Sequence, residues 1–68
     1  MEIDFVRNML PAGCRVQLID MASDPNPVEP GTMGTVNFVD DIGTVFIDWD
    51  NGRCLGLVIG VDRFLRIK

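Results

Sequence analysis

The 68-residue chain contains no histidine and no tyrosine, and has one serine, Ser23, one lysine and one tryptophan. Without histidine, the Ser–His and Cys–His pairs of nucleophilic catalysis lack their base. Two cysteines forty residues apart, Cys14 and Cys54, make no zinc site. They are also too few for a disulfide-stapled scaffold, and read as small buried hydrophobes or free thiols of a reducing compartment. No run approaches the ~18 apolar residues of a membrane span, and no basic segment precedes an apolar one. The expectation is a cytoplasmic protein without a membrane anchor. Basic residues are scarce, six against ten carboxylates, for a net charge of −4. Arg7, Arg15, Arg53, Arg63, Arg66 and Lys68 are scattered rather than clustered. Displacing counterions from a phosphate backbone needs a cluster, so direct nucleic-acid binding is not expected.

What the chain does have is apolar residues, 47% of the total, enough for one small core. A single domain over 1–68 follows, with an N-terminal helix or arm over 1–12 and a β-barrel over 13–68. In "EIDFVRNML", residues 2–10, Ile3, Val6 and either Met9 or Leu10 recur at helical spacing, and Pro11 and Gly13 then stop the helix. "CRVQLID" alternates Val16 and Leu18 with Arg15 and Gln17, the period of a half-buried strand. Residues 21–33, "MASDPNPVEPGTM", carry Pro25, Pro27 and Pro30 and form a long, stiff loop. "TVNFVD", "TVFIDW" and "RCLGLVI" follow as a meander, turning at Gly43 and at Asn51-Gly52. "GVD" makes one more turn, and "RFLRIK" is the closing strand. Strand, long loop, three-stranded meander, tight turn and closing strand is the layout of an all-β, five-stranded SH3-like barrel. Parity predicts a core of Val16, Leu18, Val36, Phe38, Val45, Ile47, Trp49, Leu55, Leu57, Val61 and Phe64.

The stretch from Gly13 to Phe64 resembles a small domain family of unknown function found in bacteria, mobile elements and phages. The resemblance is carried by "GCRVQL", "MASDP", "PGTMGTV", "VDDIG", "WDNG" and "GVDRF". It implies an SH3-like barrel and supplies no activity. Phe46 and Cys54 depart from the family pattern, which often has a polar residue or histidine at the first position and a small polar residue at the second.

Paired acids occur at Asp40-Asp41 and at Asp48 with Asp50. Such pairs act as acid and base only where a cleft drives their pKa values apart, and acids in tight turns ordinarily accept from backbone N–H groups. "DWDNG" fails as a calcium loop, because Gly52 stands fifth rather than sixth and Ile59 occupies the twelfth position. Neither an enzyme, a metal site nor a cofactor is expected. Trp49 shares parity with Val45 and Ile47 and belongs to the core. Phe46, with Thr44 and Asp48, points outward, where an exposed strand aromatic marks an interface.

These features point to a non-enzymatic interaction module, with a protein as the expected partner. Its surface would comprise Phe46 and the mouth residues Asp24, Asn26, Asp40, Asp41, Asp50, Asn51 and Arg53. The alternatives are a small-ligand binder that sequesters a host signalling nucleotide through Arg15, Arg53 and Arg63, and a structural assembly subunit. Self-association into a homodimer or small ring, with Phe46 near the contact, is also expected of so small a barrel.

Overall fold

The computed structural model describes residues 3–67. Glu2, part of the expected helix, and Lys68, part of the expected last strand, lie outside the described residues. A helix α1, Ile3–Met9, precedes five strands: β1, Arg15–Asp20; β2, Met33–Val39; β3, Thr44–Trp49; β4, Cys54–Val58; and β5, Arg63–Arg66. The strands form one antiparallel sheet in the order β4-β3-β2-β1-β5, the connectivity of an SH3-like barrel. Helix α1 carries Asp4 in its first turn, favourable beside the N-terminal partial charge, and packs against β2. Val6 and Leu10 enter the core, while Met9 faces solvent.

The inner face collects Val16 and Leu18 from β1, Val36 and Val39 from β2, Val45, Ile47 and Trp49 from β3, and Leu57 from β4. Leu55 and Phe64 pack at its margin. Trp49 is 3% exposed and donates its indole N–H to the Leu55 carbonyl at 3.1 Å. Its ring lies over Gly34, where an added Cβ would come within 2.9 Å of it. Cys14 is buried too, and the long loop adds Met21 and Val28 to the core, a contribution that periodicity does not signal in a proline-rich segment.

Two residues expected in the core are at the surface. Phe38 is 51% exposed because β2 carries a bulge: Val36 opposes Ile47, but Phe38 opposes the very next residue, Phe46. The extra residue flips the parity of everything after it, so Phe38 turns outward and Val39 takes its place inside. Val61 is exposed because it lies in the turn after β4, where Val61 N–H closes on the Val58 carbonyl.

Both hairpins of the meander are three-residue loops of the same design. Gly43 N–H donates to Asp40 C=O, and Gly52 N–H donates to Trp49 C=O. Asp40 N–H reaches Thr44 C=O, and Trp49 N–H reaches Arg53 C=O. Gly43 and Gly52 have φ of 89° and 91°, the left-handed position that ends a type I turn in a G1 bulge.

Candidate functional site

The alternation that fills the core also composes the outer face of the meander. Phe46 lies opposite Phe38 on one side and Gly56 on the other, so the row Phe38–Phe46–Gly56 crosses three strands. The Phe38 and Phe46 rings stack, with centroids 4.7 Å apart and planes 15° from parallel. Gly56 leaves room for this arrangement: a Cβ there would come within 2.6 Å of Thr44 Cγ2 and 3.6 Å of the Phe46 ring. The bulge in β2 is thus what creates the pad, since without it Phe38 would face the core. Parity found Phe46; nothing in the sequence marks the bulge that brings Phe38 beside it.

The next row along the same face is polar: Arg15, Thr35, Asp48 and Cys54. Arg15 donates to Thr35 Oγ1 at 2.9 Å and forks onto Asp50, at 2.8 Å to Oδ1 and 2.5 Å to Oδ2. That bidentate hydrogen bonding holds the Asp50 carboxyl below its ordinary pKa and raises that of Arg15. The Cys54 thiol lies 3.3 Å from Asp48 Oδ1, and hydrogen bonding to that carboxylate pushes its pKa up, away from the reactive thiolate.

The polar mouth residues are committed to their own loops. Asp40 Oδ1 accepts from Ile42 N–H at 3.1 Å and Thr44 N–H at 2.8 Å. Asp24 accepts from Asn26 N–H, and Asn51 accepts from Arg53 N–H, each an Asx-turn. Asp41 takes a bond from Arg7, which also reaches the Val39 and Asp40 carbonyls and so ties α1 to the β2–β3 turn. The three arginines of the nucleotide alternative are not gathered by the fold. Arg15 is occupied by Asp50, Arg53 precedes β4, and Arg63 opens β5 at the opposite end of the strand order.

Asp62, to which no sequence pattern assigns a role, is the most heavily bonded acid among the described residues. Asp62, 4% exposed, accepts from Ala22 N–H, Ser23 N–H, Ser23 Oγ–H and Val58 N–H at 2.6–2.9 Å. Burial pushes its pKa up, but these four donors outweigh burial and hold the carboxyl below its ordinary value. It pins the start of the long loop to the end of β4. Three of its four donors belong to Ala22 and Ser23, 39 or 40 positions away, so no local pattern could reveal the cluster.

No curated protein and no solved structure matches the chain. One family model does, over residues 1–67, essentially the whole chain. The protein therefore belongs to the family described as a domain of unknown function, DUF4314.

Proposed function

We propose that the domain is a non-enzymatic protein-binding module whose contact surface is the Phe38–Phe46 pad. The observation that carries this reading is the stacked aromatic pair on the outer face of the meander, with Phe38 exposed and Phe46 half-buried. Aromatic rings held on a hydrogen-bonded sheet offer large apolar area at little entropic cost, the property of interface anchors. The strands beneath hold both rings in place, so binding orders little else. Arg15 and Asp48 border the pad in the adjacent row, with Asp50 held against Arg15, and supply orientation rather than affinity. The partner chemistry that fits is a polypeptide presenting an aromatic or aliphatic side chain.

Selection from a random peptide library against the purified domain tests this. Binding peptides should share an apolar anchor and shift the amide resonances of Phe38, Phe46 and Gly56. They should also weaken about tenfold or more with Phe38→Ser, as expected for loss of a hot-spot residue. Binders that map to another surface, or that ignore Phe38→Ser, would overturn the assignment.

A further inference from the structure

The hydrogen-bond ladder leaves one side of β4 unpaired. Trp49 N–H donates to Arg53 C=O at 2.8 Å, so alternation makes Ile47–Leu55 and Val45–Leu57 the hydrogen-bonded pairs. Cys54, Gly56 and Val58 therefore turn their N–H and C=O groups away from β3. Those of Val58 are used, by Asp62 Oδ2 and by the amides of Val61 and Asp62. Those of Cys54 and Gly56 have no partner among the described residues.

An exposed edge is ordinarily guarded by charge, proline or a bulge. β4, "CLGLV", has none of these, and among the helices and strands it packs only on β3. The other edge is guarded. β5 carries Arg63 and Arg66, and the Arg66 guanidinium donates to the Met9 carbonyl at 2.8 Å.

We propose that β4 pairs antiparallel with β4 of a second copy of this chain, across a two-fold axis at Leu55. In this register Cys54 lies opposite the partner's Gly56, and Gly56 opposite the partner's Cys54. All the free edge groups of both copies are satisfied, in four N–H···O=C bonds. Leu55 meets the partner's Leu55 as the closer, non-hydrogen-bonded pair, which covers an apolar side chain left half-exposed at the core margin. The missing side chain at Gly56 gives the opposing Cys54 room beside the Phe46 ring.

Side-chain parity selects β4 over β5 as the antiparallel partner. Ile67 N–H donates to Arg15 C=O, so on β5 the outward-turned backbone belongs to Phe64 and Arg66. Phe64 packs on the core side, whereas Cys54 and Gly56 lie on the outer face. Antiparallel β4–β5 pairing would set the core face of one sheet beside the solvent face of the other. The β4–β4 register keeps both outer faces on one side, and places two aromatic pads on one continuous ten-stranded sheet.

Light scattering and amide hydrogen exchange on the full chain test the pairing. Wild type and Cys54→Ala, which keeps the amide, should have twice the mass of one chain at high micromolar concentration. Cys54→Pro, which removes an N–H turned away from β3 and puts a ring on the free edge, should be a folded monomer with unchanged Trp49 fluorescence. In wild type, the Cys54 and Gly56 amides should exchange on the order of a hundredfold more slowly than unprotected amides, the protection fading on dilution. A monomeric wild type, a dimeric Cys54→Pro, or free exchange at Gly56 would each overturn the proposal. If Cys54→Pro does not fold, exchange at Gly56 in wild type decides alone, protection supporting the pairing and free exchange refuting it. Peptide binding at the aromatic pad is read separately, so either conclusion can fail without the other.

Discussion

Asp62 shows how much a single side chain can organise in a domain this small. Four donors converge on it from the long loop and from β4, and their bonds are the reason its carboxyl stays ionised although buried. Its folded-state pKa is depressed, so its contribution to stability is present above the unfolded value and lost as pH falls through the folded one. Wild type should thus lose melting temperature as pH falls through about 4, where an unperturbed Asp is about half protonated. Asp62→Asn should start roughly 2–4 kcal/mol less stable at neutral pH, because an amide replaces a charged acceptor and sets an N–H against backbone donors. The gap between the two proteins should narrow on acidification; parallel pH profiles would show that Asp62 does not carry the linkage. Phe46 contrasts with it. Its outward direction is legible from strict alternation along a strand, while the role of Asp62 depends on a loop arriving from far away in sequence.

At the scale of elements, the strands were legible because apolar and polar residues alternate, and the turns because glycine stands where a left-handed backbone is needed. What alternation could not show was the bulge between Val36 and Phe38. A bulge adds one residue without changing composition, so alternation from Val36 reads "VNFV" with Phe38 inside, where the structure has Val39. Packing decides it: Val39 fits beside Val45 in the core, and Phe38 gains a stacking partner outside. The turns give a sharper test. Gly52 has φ of 91°, whereas Asn51 is not at positive φ and serves through its Oδ1 acceptor for Arg53 N–H. Asn51→Asp keeps that acceptor and should change stability by less than about 0.5 kcal/mol, as surface changes usually do. Gly52→Val forces a β-branched residue into the left-handed region and should cost roughly 1–3 kcal/mol. Equal shifts in melting temperature for the two variants would contradict the G1-bulge geometry.

The whole molecule faces the problem of its size, since a 68-residue barrel buries too little apolar surface to be more than marginally stable alone. The fold answers partly by drawing segments outside the sheet inward: Val6 and Leu10 from the helical arm, Met21 and Val28 from the loop. The overall layout was legible from the order of strands and turns, but these contributions were only partly so, because the loop residues obey no period. Pairing of two β4 edges would supply a further increment, and one that depends on concentration. Binding that favours the folded state stabilises by about 2.7 kcal/mol when the partner is at a hundred times its dissociation constant. For a domain of this length each kcal/mol raises the melting temperature by about 4–8 °C. Wild type should therefore melt several degrees higher at high micromolar than at low micromolar concentration, and Cys54→Ala should do the same. Cys54→Pro should melt at one temperature throughout, because its edge cannot complete the four-bond register. A wild type whose melting temperature ignores concentration would mean that the domain obtains its stability within a single chain, and that the unguarded edge of β4 is left to some other strand.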